Sequence, residues 1–412
     1  MWLLLPLFGL NLYYAWRYAK IDIDPDFALF NMAGQTGAWY GRDFVDCKSP
    51  LVHIWFWFLS RIWRSVYGVR LLHFTATGIP GMIYFGLTGN FWGALAFIVL
   101  VHTGFLLTFH GNVGDIPSGL ILLALVIENP WIAFGLFVLA VIYEPKLIAA
   151  LIVWGAFGGF WWQSMAYLGG GLILLGLIWY FKHDWFEWLV EANLTIPKRM
   201  NHRRKIAVIL EWMPPFTANA MIYVGMWAAF AVMAKPDIVY WLPALAYLLL
   251  ISAGMVIRPN HLIPLIPWFA ASGLNPAPAI ALFSVDTVSA GFYLGDIWYR
   301  FYPGLRNVIK EAKEIGLWIK DKSGDLWVNS MWSEIYIWSG KPPVYGMTEQ
   351  IEIAQVAKER RQAMINRFHA HPPKWIVANT NQNESDGIAL DTSGYTLVAK
   401  SVFFLIYRKD EK

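Results

Sequence analysis

Phe91-Trp-Gly-Ala-Leu-Ala-Phe-Ile-Val-Leu-Val-His102-Thr-Gly-Phe-Leu-Leu-Thr-Phe109 contains no Asp, Glu, Lys or Arg. A helix that crosses the hydrocarbon core of a bilayer needs roughly 20 predominantly apolar residues, so this stretch reads as a membrane span. Working outward, comparable segments occupy 70–87, 162–181, 206–233, 238–257 and 278–298, and shorter ones 2–19 and 261–274. Between 116 and 160, Glu128, Glu144 and Lys146 cut the apolar sequence into pieces too short for a full span. Such pieces suit helices buried among other helices, lining a polar cavity. The expectation is a polytopic α-helical membrane protein with about eleven crossings at bilayer length.

Composition points the same way. Hydrophobic residues make up 57% of the 412-residue chain and charged residues 15%, against about 45–50% and about 25% in soluble domains. Aromatic residues reach 17%, with 24 Trp, and Trp and Tyr favour the headgroup level of a membrane. A net charge of +4 without a basic, aromatic-studded binding motif gives no reason to expect nucleic acid. With Cys47 the only cysteine, an intrachain disulfide, a cysteine zinc cluster and a redox pair are excluded. Residues 1–19 lack a basic n-region and a small-residue cleavage site, so they read as a retained span.

Three polar stretches punctuate the bundle: a first loop at 20–69, a segment at 182–205, and everything from 300 onward. The first loop holds the aromatic run His53 to Trp63, which reads as a helix lying in the interface plane. The tail, 300–412, reads as a small soluble α/β domain. A helix is expected over 303–320, opening with Pro303, and another near 348–369. Strands are expected at Asp325-Leu-Trp-Val-Asn, Ile335-Tyr-Ile-Trp, Trp375-Ile-Val-Ala and from Tyr395 to Tyr407. The domains are therefore a membrane module, 1–299, with the loop 20–69, and the tail 300–412; an odd number of crossings puts loop and tail on the same side of the membrane. The span count puts the basic run Lys198 to Lys205 on that side too, and the positive-inside rule assigns such a run to the cytoplasm.

Asp22, Asp24 and Asp26 crowd the end of the first span. Two readings fit: carboxylates at a solvated helix start, favoured by the helix dipole, or a general base that activates a hydroxyl. Asp115, in Gly114-Asp115-Ile-Pro, divides between a helix cap and a second functional acid.

The string Asp24-Pro-Asp26-Phe, Ala33-Gly-Gln, Tyr40-Gly-Arg42-Asp43-Phe-Val-Asp46-Cys-Lys48-Ser-Pro50-Leu resembles the first outer loop of C-type-fold membrane glycosyltransferases. Within them it is most similar to the branch containing protein O-mannosyltransferases and lipid A aminoarabinose transferases. Tyr143-Glu-Pro-Lys146 resembles their Lys-Pro signature, and Arg258-Pro-Asn-His261-Leu-Ile-Pro-Leu-Ile-Pro their Arg-x-x-His-Tyr segment. Ile335-Tyr-Ile-Trp-Ser-Gly-Lys-Pro-Pro resembles the stretch before their Ser-Gly-Arg turn. Asp24-Pro-Asp26 departs from their usual Asp-Glu pair, and Leu262 from their customary Tyr.

The resemblance implies an inverting transfer of a sugar from a polyprenyl-phosphate donor to a hydroxyl of a protein, lipid or polysaccharide at the extracytoplasmic face. It implies a multi-pass protein of the plasma membrane. Asp26 is then the base, with Asp24 the other carboxylate of the pair, and Asp115 binds the acceptor or shares the proton. The lipid phosphate leaving group asks for cationic donors, a role for Arg258, His261 and Lys146. Lys146 equally reads as a structural partner of Glu144. Tyr40, Arg42, Asp43, Asp46 and Lys48 order the loop or contact the donor. Relatives in the wider superfamily hold a divalent cation on an acidic pair; this branch generally manages without one, so no obligatory cofactor is expected.

Two other classes compete. A transporter also has interrupted spans and intramembrane charges, but predicts internal repeats, which the sequence lacks. A non-catalytic cell-envelope assembly protein would keep the fold without the acids of the first loop.

Overall fold

The computed structural model describes residues 2–20, 25–39, 44–45, 49–108, 115–157, 161–181, 238–254, 263–272, 303–330, 332–344, 346–347, 358–380 and 392–410. The chain divides into two compact units. One comprises Met1–Ile21, Tyr67–Phe186 and Pro197–Ile297, the other Asp22–Val66, Glu187–Ile196 and Trp298–Lys412.

The first unit is helical among its described residues. Its helices are α1 (Leu4–Ala19), α4 (Val66–Thr88), α5 (Phe91–Thr108), α6 (Asp115–Ala124), α7 (Pro130–Tyr143), α8 (Ile148–Phe157), α9 (Trp161–Phe181), α10 (Ile238–Gly254) and α11 (Ile266–Ser272), with a 3-10 turn at Pro145–Leu147. The stretch expected to be fragmented is divided as the charges foretold. Asn129 caps α7, accepting from the amides of Trp131 and Ile132 at 3.0 and 3.3 Å with Pro130 in the first turn. Glu144 closes α7 before Pro145 starts the 3-10 turn. The core where α7, α8 and α11 meet is aromatic: Trp154 stacks on Phe134 at 5.2 Å and meets Trp268 edge-on at 6.5 Å.

Among the described residues, no helix is long and apolar enough to cross a membrane. The helices nonetheless fall on the segments read as spans: α1, α4, α5, α9, α10 and α11 on 2–19, 70–87, 91–109, 162–181, 238–257 and 261–274. The spans expected at 206–233 and 278–298, and the basic run Lys198 to Lys205, lie outside the described residues.

The second unit joins the first loop to the tail. The loop contributes α2 (Pro25–Thr36), β1 (Phe44–Val45) and α3 (Pro50–Ile62). Ser49 caps α3, accepting from the Leu51 amide at 3.3 Å. α3 packs along α2 through Val52, His53, Phe56 and Leu59, with Phe27 edge-on to Phe56 at 5.0 Å. Its opposite face leaves Ile54, Phe58 and Ile62 exposed at a spacing of four.

The tail contributes α12 (Pro303–Lys320), β2 (Leu326–Asn329), α13 (Glu334–Ser339), β3 (Gly346–Met347), α14 (Lys358–Ala370), β4 (Trp375–Asn379), β5 (Tyr395–Lys400) and β6 (Phe404–Lys409). The sheet order is β2-β4-β6-β5, with β2 and β4 parallel and the other pairs antiparallel. A parallel pair needs a long crossover, and residues 330–374, carrying α13 and α14, supply it. α12 buries Val308, Ile309, Ala312, Ile315 and Ile319 along one stripe. Its Glu311 carboxylate accepts from the Ser401 hydroxyl and, at 3.1 Å, from the Phe403 amide, tying the helix to the β5–β6 turn.

Two tail expectations need correction. Ile335-Tyr-Ile-Trp is not a strand but most of the short helix α13, closed by Gly340 in the left-handed region at φ 68°. Glu334, Ile335, Tyr336, Ile337 and Ser339 are all buried, and a short run buried on every side has no period to separate helix from strand. Tyr395 to Tyr407 is a hairpin rather than one strand; it turns at Ser401, whose amide donates to the Phe404 carbonyl at 2.9 Å.

Loop and tail meet directly within this unit. α13 packs on α2, and β1 pairs in parallel with β3, Phe44 opposite Gly346 and Val45 opposite Met347.

Candidate active site

Asp115 is the first residue of α6 and is almost wholly buried. Its Oδ2 lies 3.7 Å from Nε2 of His73 on α4, and both side chains are 2% exposed. Its Oδ1 has no hydrogen-bond partner among the described residues.

The pair sits in a run of buried polar groups through the first unit. One helical turn before His73, Arg70 is 3% exposed and donates from Nη2 to the Tyr18 carbonyl at 3.0 Å, holding the end of α1. Tyr18 stacks on Tyr14 at 5.8 Å, and Tyr14 on His102 of α5 at 5.2 Å. His102 Nε2 lies 2.8 Å from Asn11 Oδ1, and Asn11 Nδ2 donates to the Thr75 carbonyl at 2.9 Å. Residue 78 has to be glycine for this to fit, because a Cβ there would overlap the Asn11 carboxamide. Side chains of α1, α4, α5 and α6 thus enclose Arg70, His73, His102 and Asp115, groups that are costly to bury unless paired.

Among the residues expected to be functional, Lys146 is placed in the 3-10 turn with Nζ 3.3 Å from Glu144 Oε1. The side chains are 28% and 14% exposed, and the pairing with Glu144 that the spacing allowed is formed. Asp26 lies in the first turn of α2, and its side chain is outside the described residues. Asp24, Tyr40, Arg42, Asp43, Asp46, Lys48, Arg258 and His261 are also outside them. Among the described residues, no cluster of three His, Cys, Asp or Glu side chains is arranged to hold a metal ion.

Sequence reasoning passed over Arg70, His73, His102 and Asn11. Each was visible as a polar residue inside an otherwise apolar segment, which marks a functional position by default.

No protein-family model matches the chain, and no curated protein matches it in sequence. A solved structure matches it in fold: ArnT from Cupriavidus metallidurans bound to undecaprenyl phosphate, with a TM-score of 0.54, covering 98% of this chain and 97% of that one. At 12% identity the likeness is one of fold, and it agrees with the resemblance to C-type-fold lipid A aminoarabinose transferases carried by the first loop.

Proposed function

We propose that the chain is a multi-pass membrane glycosyltransferase that moves a sugar, with inversion, from a polyprenyl-phosphate carrier to a hydroxyl acceptor at the extracytoplasmic face. The observation that carries this is the end-to-end fold match to a protein crystallised with undecaprenyl phosphate. The loop motif from Asp24 to Leu51 supports it independently, and composition supports residence in lipid. The grouping of 22–66 with 298–412 in one unit supports a tail on the same side as the acidic loop.

In this reading the acceptor oxygen attacks the anomeric carbon from the face opposite the phosphate. The bond from that carbon to the phosphate oxygen breaks with its electron pair, leaving the lipid phosphate, while the hydroxyl proton passes to Asp26. Asp24 is the neighbouring carboxylate, and Asp115 holds the acceptor hydroxyl. Arg258 and His261 stabilise the departing phosphate by charge-assisted hydrogen bonds, with Lys146 a contributor through its point charge. Tyr40, Arg42, Asp43, Asp46 and Lys48 shape the loop around the donor. No step in this scheme requires a metal.

Membranes carrying the protein, incubated with labelled polyprenyl-phosphate sugars, test the reading. Wild type is expected to transfer or hydrolyse at least one donor, and Asp26→Asn to lose at least 100-fold of that rate, the lower end of what a general base contributes. Equal rates for the two would remove Asp26 as base, and no turnover by wild type across a panel of sugars and alcohols would sink the transferase itself.

A further inference from the structure

The mechanism above leaves His73 without a task, yet its placement is specific. It is buried on α4, 3.7 Å from a buried carboxylate on α6, with Arg70 one turn away on the same helix. His102 of α5 interacts with it electrostatically, as Tyr143 at the end of α7 does with Asp115. Tyr14 and Tyr18 bring the polar groups of α1 to the same cluster.

We propose that His73 is the positioning residue for Asp115, holding Oδ2 so that Oδ1, which has no partner among the described residues, accepts the hydrogen bond of the acceptor hydroxyl. The inference rests on the transferase reading for what Asp115 binds, and on the geometry alone for the pairing. Three observations carry it. The carboxylate has two oxygens in different circumstances, one facing an imidazole nitrogen and the other without a partner among the described residues. A buried acceptor left unmade costs about 1–3 kcal/mol, and such a group in a native structure asks for a use. Asp115 also begins α6, so its backbone is fixed by the helix, and with Oδ2 held the direction of Oδ1 is set. At 3.7 Å from Oδ2, the His73 imidazole is close enough to orient the carboxylate.

Wild type, His73→Asn, Asp115→Asn and the double variant, purified in detergent, separate the possibilities. Turnover of labelled undecaprenyl-phosphate sugars with water or a simple alcohol as acceptor reads the chemistry. His73→Asn is expected to lower kcat about tenfold or more with donor KM within about twofold, and the double variant to be no slower than Asp115→Asn. His73→Gln, which carries an amide donor at the reach of Nε2, is expected to recover part of the loss. Multiplying losses in the double variant, or a donor KM rising in step with the fall in kcat, would overturn the proposal. Where wild type turns over no donor, the transferase reading fails by itself, and the thermal unfolding midpoints of the same four proteins decide the pairing. Non-additive midpoint shifts support it; additive shifts overturn it.

Discussion

The two units invert one another. In the tail-and-loop unit Lys310 and Glu314 of α12 stand in solvent, 74% and 64% exposed, while Trp327, Ile376, Val377 and Phe404 fill the core. Among the described residues of the helical unit, Arg70, His73, His102 and Asp115 are buried, and large apolar residues face outward, as with Trp162, Ile173 and Phe181 on α9. Water around a domain drives apolar groups inward. Where apolar side chains dominate the outside and charge collects inside, the surroundings that match are hydrocarbon, in which intramembrane polar groups face the bundle interior. The comparison therefore argues for the membrane from the distribution of residues, independently of the length of any one helix.

The sharpest way to break it is to remove one core residue from the conventional unit. Trp327 is buried against Phe368, their rings 5.0 Å apart, and Trp327→Ala is expected to destabilise the tail-and-loop unit by about 3–5 kcal/mol, read as an early unfolding transition by limited proteolysis. A loss spread equally over both units would show that they do not unfold separately. Next in size, His102→Leu leaves Asn11 Oδ1 buried without its partner and is expected to cost the helical unit about 1–3 kcal/mol, measured as the thermal midpoint in micelles. Lys310→Leu on the exposed face of α12 is the matched control and leaves the midpoint in place. A neutral His102→Leu would mean that the polar interior contributes nothing to stability.

The smallest effect is expected at Tyr395 of β5, which donates to the Pro373 carbonyl at 2.6 Å and whose phenol burial pushes up to about 12. A folded-state value above the unfolded one favours the neutral form, so its contribution is complete below pH about 10 and disappears as pH rises toward about 12. Tyr395→Phe is expected to flatten the alkaline limb of the tail-and-loop unit's stability curve. An unchanged limb would place the titration on another group.

Legibility in the sequence followed the same division. The helix Pro303–Lys320 was readable to the residue because water on one side and core on the other impose a 3.6-residue period. α13 was misread, since complete burial removes the period. α2 was read only as a helix start among the loop's acids, one of two alternatives, and not as a helix reaching Thr36: the apolar face that stabilises it meets α3 and α13, and the latter is about three hundred residues away in sequence. In the site, Asp115 was readable as a candidate from its place at a span start, where the family that the loop resembles usually has a second acidic residue. His73 was visible as a polar residue in an apolar segment, but hydropathy does not report which neighbour such a residue faces. The Lys146–Glu144 pair was foreseen because neighbours in sequence need no fold to meet.

The parallel pairing of Phe44–Val45 with Gly346–Met347 has a consequence in time. Chains are made at roughly 5–20 residues per second, so the loop segment leaves the ribosome roughly 15–60 s before its partner strand exists. Over that interval α2 and α3 have each other but neither β3 nor α13, and contacts so far apart in sequence close late. The acidic loop is completed only when the last quarter of the chain arrives. A nascent or truncated chain that lacks β3 and α13 therefore holds this loop without the partners that the full chain gives it.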